Sequence, residues 1–269
     1  SLWTNMEIEG ATNASTDGRN WSASGVSIDS RKVQPKDIFI AFKGSRVDGH
    51  CYVADAFEKG AAVAIVERKI DGLSEERPIL IVENVQKALF QIACLARNRS
   101  EAEFVAVTGS VGKTSSKNLL AKALAQFDSV HATIGNLNNH IGAPLSLARL
   151  NASSRFAVFE LGMNNTGEIA LLSNLMRPKV ALITNVHGVH LEQLKTERAI
   201  AEAKSEIFNG LLENGSAVLN QDSPWINLLK SRAEKKGIKN IITFGEDKKS
   251  DVQLLDWQSG EGKSFVKIQ

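Results

Sequence analysis

The stretch Phe104-Val105-Ala106-Val107-Thr108-Gly109-Ser110-Val111-Gly112-Lys113-Thr114 decides how the rest of the chain is read. It opens as a short continuous apolar run, passes through a glycine-bearing turn, and continues from Thr114 to Phe127 with helical periodicity. A run apolar on both faces suits a strand of a parallel sheet covered on both sides. In the turn, the glycines let backbone N–H groups face an anion, and the helix N-terminus adds its positive dipole end. Lys113 supplies a point charge for the β and γ phosphates of a nucleotide, and the Thr114 hydroxyl is placed to reach a nucleotide-bound Mg²⁺. The strict pattern G-x-x-x-x-G-K-[ST] is not met, because the position five before Gly112 is Val107, so this is a shortened variant. The competing reading, a Gly-rich turn with a solvated lysine, does not account for strand, turn, Gly-Lys-Thr and helix coinciding. The cofactor-binding set is therefore Thr108, Gly109, Ser110, Val111, Gly112, Lys113, Thr114 and Ser115.

Downstream, apolar runs alternate with helical patterns. Strand candidates are Phe156 to Phe159, Val180 to Ile183, Ala217 to Leu219 and Ile241 to Phe244, with helices over Thr196 to Leu212 and Trp225 to Ala233. Such alternation predicts an α/β fold with a parallel sheet and helices packed on it. After Gly245, Val252 to Trp257 and Ser264 to Ile268 read as an antiparallel hairpin. Upstream, the first hundred residues predict a small mixed α/β domain. Its strands fall at Val26 to Ile28, Ile38 to Phe42, Ala62 to Val66 and Ile79 to Val82, and its helices at Tyr52 to Lys59 and Val85 to Arg97. The charged stretch Arg97-Asn98-Arg99-Ser100-Glu101 sets the expected boundary, giving domains 1–100 and 101–269.

The chain has 269 residues, 43% hydrophobic and 23% charged, with a net charge of +2. At roughly 100–200 residues per domain, two domains are expected. So small an excess of positive charge gives no reason to expect nucleic-acid or membrane-surface binding. The two cysteines, Cys51 and Cys94, form neither a disulfide framework nor a zinc ribbon, and a cytoplasmic setting is expected. No apolar run approaches the ~20 residues of a membrane span, and no signal peptide is evident. A chain that starts without Met and ends on a strand is expected to be part of a longer one.

Four further groups are candidates. Glu160 closes a strand on the sheet edge where open α/β sheets bind ligands, so a carboxylate there can hold Mg²⁺. After the next strand, Thr184-Asn185-Val186-His187-Gly188-Val189-His190 offers two histidines without zinc-site spacing; either is a metal or phosphate contact or an exposed loop residue. The stretch Gly135-Asn136-Leu137-Asn138-Asn139-His140-Ile141-Gly142 gathers amides that can orient a sugar or diphosphate, or simply form turns. In the first domain, Ser30 and Arg31 follow one strand, and Lys43, Gly44, Asp48, Gly49 and His50 follow another. These loops suit a phosphate-bearing ligand or are ordinary surface.

Together these residues resemble the Mur ligase family of peptidoglycan synthesis. The resemblance rests on Asp29-Ser30-Arg31, Asp37 to Gly44, Asp48-Gly49-His50, Thr108 to Thr114, Gly135 to Asn139 with Ile141 to Leu145, Glu160-Leu161-Gly162, Ala203 to Phe208 and Leu219-Asn220-Gln221-Asp222. Within the family the 135–145 pattern favours the ligases that add D-Ala-D-Ala to a UDP-N-acetylmuramoyl tripeptide. The resemblance implies a UDP-sugar-binding first domain, an ATP-binding second domain, and activation of a carboxylate as an acyl phosphate that D-Ala-D-Ala attacks. It implies catalytic Lys113, Glu160, His190 and Lys204, with Thr114, Glu160, His190 and an N-carboxylated Lys204 around Mg²⁺. Asn136 would contact the nucleotide, and Asn138 and Asn139 the substrate. It also implies a monomer, and a continuing Gly-x-His-Asn segment and third domain that are not in this sequence, so binding without turnover is expected of the chain alone. A folylpolyglutamate-synthase-like ligase and a non-catalytic sugar-nucleotide module are the alternatives.

Overall fold

The computed structural model describes residues 1–45, 47–188, 196–261 and 263–269. They divide into two compact units, 1–100 with 144–152, and 101–143 with 153–269.

In the first unit, β1 (Trp3–Thr4) leads into α1 (Asn5–Thr12), which Thr4 and Glu7 start with a reciprocal capping box. Strand β2 (Ser22–Ala23) pairs with β1. Strands β3 (Gly25–Ser27), β4 (Asp37–Ile40), β5 (Val63–Val66) and β6 (Ile79–Ile81) then form a four-stranded parallel sheet in that order. All four residues of β4 and of β5 are buried, as expected of central strands covered on both faces. Helix α2 (Val53–Glu58) packs Val53, Ala56 and Phe57 against Phe39, Ala64 and Val66. Helix α3 (Val85–Arg99) starts at the Asn84 cap and buries Val85, Ala88, Leu89, Ile92, Ala93 and Ala96 along one face. The segment 144–152 is tied to this unit by Trp3 Nε1 donating to the Ala148 carbonyl at 2.9 Å and Arg149 Nε donating to the Val26 carbonyl at 2.7 Å.

The second unit comprises β7 (Glu103–Thr108), α4 (Lys113–Leu124), β8 (Val130–Ala132), α5 (Gly142–Ala148, whose last residues group with the first unit), β9 (Phe156–Glu160), α6 (Glu168–Met176), β10 (Val180–Ile183), α7 (Glu197–Ser205), β11 (Ser216–Asn220), α8 (Ile226–Lys235), β12 (Asn240–Gly245), β13 (Val252–Gly260) and β14 (Lys263–Ile268). The sheet order is β14-β13-β12-β11-β10-β7-β9-β8, parallel throughout except for the final β13–β14 hairpin. From β7 the chain moves to one side, to β8 and β9, and then to β10 on the other side. That reversal opens a crevice beyond the carboxyl ends of β7, β9 and β10.

The mixed α/β class and the parallel sheet expected from the apolar runs are found. Several elements lay outside the expectation, among them β1, α1 and β2 of the first unit. In the second unit, strand β8 is an edge strand of half-buried residues, so it shows no continuous apolar run; α5 starts at Gly142, in a stretch whose amides and glycines also suit turns, and α6 follows Gly167 in a stretch with no expected element. The helix expected over 196–212 ends at Ser205, followed by a tighter turn over Glu206–Asn209. No helix among the described residues is long and apolar enough to cross a membrane.

Candidate active site

The loop after β7 is shaped by two glycines. Gly109 has φ +152°, and a Cβ there would overlap Thr184 Oγ1; Gly112 has φ +80° and caps α4 in the left-handed region. No side chain caps α4, so its first-turn N–H groups, which have no intrahelical acceptor, form a ready cradle for an anion. The segment after β10 holds the loop in place. Ser110 N donates to the Asn185 carbonyl at 3.1 Å, Val111 N to Asn185 Oδ1 at 2.9 Å, and Thr184 Oγ1 to the Val111 carbonyl at 2.7 Å. Lys113 Nζ folds back to donate to the Gly109 carbonyl at 2.8 Å. Burial lowers its pKa, and the nearby Glu160 opposes that shift. Thr108 Oγ1, at the root of the loop, is buried without a hydrogen-bond partner among the described residues.

Glu160 ends β9 in register with Val107 and is 1% exposed. Both its oxygens are held: Oε2 accepts from Thr114 Oγ1 at 2.8 Å and Oε1 from Asn138 Nδ2 at 2.7 Å. Asn138 can approach because position 162 is glycine, where a Cβ would stand 2.7 Å from Asn138 Oδ1. Lys204, on α7, is 2% exposed, and its pKa is lowered to about 7, first by burial and then by the positive charge of Lys113. Lys113, Lys204, Asn138, Gly162, Met163 and Glu168 share the wall of one cleft of about 220 Å³. Burial raises the pKa of Glu168, but hydrogen bonds from Asn164 and Asn165 outweigh it and the net shift is downward.

The donor set fits a Mg²⁺–nucleotide. A fixed carboxylate and a hydroxyl are hard oxygen ligands, and Mg²⁺ keeps waters and phosphate oxygens in the rest of its shell. No group of three or more His, Cys, Asp and Glu suited to a metal occurs among the described residues.

The sequence-predicted residues do not all fall together. Thr108 to Thr114, Asn138, Glu160 and Lys204 come together, and Asn139 lines the same cleft while its Oδ1 accepts from the backbone of Ile141 and Gly142 at the start of α5. Ser115 and Asn136 are exposed. His190 lies outside the described residues. In the first unit, Ser30, Arg31, Gly44 and Gly49 line a separate cleft of about 540 Å³ with Phe42 and Tyr52. Arg31 makes a two-point pair with Asp29 at 2.9 Å, and that hydrogen bonding holds the Asp29 carboxyl down at about 2. Lys43, Asp48 and His50 are not on its wall. His50 is 3% exposed, with Nδ1 on Asp48 Oδ1 at 2.7 Å and Nε2 accepting from Glu67 N at 2.9 Å. Arg68, then His50, hold Asp48 far below the ordinary carboxylate range. Lys43 and Asp48 face each other across an isolated backbone bridge, so these three residues build the loop. Met163, Asn164 and Glu168 are wall residues the sequence reading missed; the Gly167-Glu168 pair opening a helix was their available signal.

Residues 107–268 match the Mur ligase middle domain, and residues 22–97 match the family described as Mur ligase family, catalytic domain. The UDP-N-acetylmuramoyl-tripeptide–D-alanyl-D-alanine ligase of Rickettsia prowazekii is 40% identical over 231 residues, covering 86% of this chain and 51% of the relative. Among solved structures, MurF from Acinetobacter baumannii superposes with TM-score 0.85 at 32% identity, covering 99% of this chain and 58% of the other. MurF ligase from Thermotoga maritima in complex with ADP gives 0.75 at 32% identity, covering 91% and 56%. The chain thus spans about half the length of the curated relatives it matches. With the matches running from Ser22 through both units, and the glycine loop, Lys113 and Glu160 inside the matched stretch, the chain belongs to the Mur ligase family.

Proposed function

We propose that this chain supplies the sugar-nucleotide and ATP sites of a ligase that joins D-Ala-D-Ala to a UDP-N-acetylmuramoyl tripeptide in the cytoplasm, working as a monomer. The observation that carries the reading is Glu160 held by both Thr114 and Asn138 in a cleft that also contains Lys113 and Lys204. ATP would lie with its phosphates on the first turn of α4. Lys113 would exchange its bond to the Gly109 carbonyl for the β and γ phosphates, and Thr114 and Glu160 would hold Mg²⁺. The metal supplies charge neutralisation where a carboxylate approaches a triphosphate.

The first step forms a bond from the tripeptide's terminal carboxylate oxygen to the γ-phosphorus and releases ADP. In the second, the amine of D-Ala-D-Ala attacks the acyl carbon, loses a proton, and inorganic phosphate leaves with its bonding pair. Lys113 would oppose the negative charge gathered in the first step. Lys204, with a pKa near 7, has a large neutral fraction at physiological pH, so its amine can add to CO₂ with loss of a proton. The resulting carbamate would give the cleft a second anionic oxygen ligand, with His190 as a further metal contact. Ser30, Arg31, Gly44 and Gly49 would receive the uridine diphosphate in the first-unit cleft.

Calorimetric titration of the chain with Mg²⁺–ADP and with UDP-N-acetylmuramoyl tripeptide tests the reading. Binding of both is expected, with Lys113→Ala losing the first. Binding of the sugar nucleotide alone would instead identify a non-catalytic module, and binding of neither would refute the proposal.

A further inference from the structure

One turn beyond Lys113, α4 carries a second lysine that the chemistry above does not use. Lys117 is 1% exposed, and its Nζ donates to the Thr133 carbonyl at 2.5 Å and to the Gly135 carbonyl at 3.2 Å. Burying an ammonium group is costly, and a Met or Leu would fill similar space without that cost. What the ammonium adds is a grip on two backbone oxygens of one turn.

That turn is tied at its other end to the site. Asn138 O accepts from Gly162 N at 2.8 Å, Asn138 Nδ2 donates to Glu160 Oε1 at 2.7 Å, and Glu160 N donates to Thr133 Oγ1 at 3.4 Å. Within the turn, Asn138 N reaches the Asn136 carbonyl at 2.7 Å, and Gly135 has φ +59°. Residues 133–138 are therefore strung between Lys117 on α4 and the end of β9. Because Lys113 and Lys117 are four residues apart on one helix, α4 sets the phosphate loop and this turn in a common frame.

We propose that Lys117 is a positioning residue of the nucleotide site: it ties turn 133–138 to α4 and so holds Asn138 against Glu160, the carboxylate placed for Mg²⁺. The role rests on the reading of this cleft as a Mg²⁺–nucleotide site.

Lys117→Met keeps the length of the side chain and removes the donors. Two measurements on the full chain are needed. The first, without ligand, is hydrogen exchange at the Gly162 amide, whose acceptor is Asn138 O. Losing the clamp is expected to speed it about tenfold relative to amides of β11, about what one hydrogen bond to a charged group is worth. The second is the Mg²⁺ concentration at half-saturation of ADP binding. It is expected to rise about fivefold or more, while ADP affinity in EDTA changes less than about twofold. In an Asn138→Ala background, Lys117→Met should have little further effect, because the two share one route. A purely structural lysine would lower the melting temperature and leave the Mg²⁺ dependence in place.

An unchanged Mg²⁺ half-saturation in folded Lys117→Met, or a full additional effect on top of Asn138→Ala, overturns the proposal. If Lys117→Met does not fold, Lys117→Arg decides: its larger head must displace the two carbonyls, so an unmoved half-saturation is again a refutation. Failure of the unaltered chain to bind Mg²⁺–ADP would bring down the functional reading and with it this role. Exchange at Gly162 would still report whether the clamp exists.

Discussion

Lys204 offers the sharpest quantitative test, because its burial makes folding stability depend on pH. The perturbation is Lys204→Met, which removes the titrating group and keeps an apolar chain of similar length. In the folded chain the amine titrates at about 7, against 10.5 for an ordinary lysine. A lowered lysine pKa means the unfolded state binds the proton more tightly. The penalty is therefore full below pH 7 and is relieved as pH rises from 7 toward 10.5, where stability increases. Integrating the linkage between pH 6 and pH 9 gives a gain of about 2–3 kcal/mol for the unaltered chain, and moving the folded pKa by one unit either way keeps it between about 1.5 and 4 kcal/mol.

The assay is urea unfolding at four pH values between 6 and 9 in CO₂-free buffer, comparing the chain with Lys204→Met. Their stability difference should narrow by that amount over the range. Adding bicarbonate at pH 8 should then stabilise the unaltered chain alone, because carbamate formation consumes the neutral amine. A stability difference flat in pH would refute the burial argument, and a bicarbonate effect that persists in Lys204→Met would refute the carbamate.

Three further outcomes follow from the geometry. Gly109→Ala puts a Cβ into Thr184 Oγ1 at φ +152°, which should distort the loop and cost about 1–3 kcal/mol in strain, read as loss of Mg²⁺–ADP binding by calorimetry; retention of wild-type affinity would show the loop shape to be dispensable. Gly162→Ala, by pushing Asn138 off Glu160, should raise the Mg²⁺ requirement for ADP as Asn138→Ala does, and a difference in sign between the two would separate Asn138 from the role proposed for Glu160. In the first unit, Asp48 sits far below its ordinary value of 3.8, so it stabilises the fold above about pH 4 and that contribution is lost as acid protonates it. Asp48→Asn should be less stable at neutral pH and lose less of its melting temperature between pH 4 and pH 2; an unaltered acid profile would mean that the Arg68 and His50 contacts contribute nothing.

What the sequence disclosed and what it withheld divide along a physical line. The glycine loop, Lys113 and Thr114 were legible because strand, turn and helix start are contiguous, so local rules fix their geometry. Glu160 was legible by position, since a strand's carboxyl end must open on the crevice. Asn138 was readable as an amide for a sugar or diphosphate or as a turn residue, but not as the partner of Glu160. Its partner ends the neighbouring strand, and the 2.7 Å bond to Glu160 exists only because β8 and β9, apart in sequence, pair in register. His50 erred the other way: Asp48-Gly49-His50 looks like a ligand loop, yet both ring nitrogens are spent on Asp48 and Glu67. The lysines make the point most directly. Lys113, Lys117 and Lys204 are each one cation on a helix, but only Lys113 has a local motif; spacing alone leaves Lys204 a solvated lysine and marks nothing at Lys117. In the fold one lies over the phosphate loop, one grips two carbonyls, and one is held half-neutral near pH 7 by burial beside the first. Their different chemistry comes from which helix face meets the sheet and what carbonyls or charges wait there, quantities that only the packed structure sets.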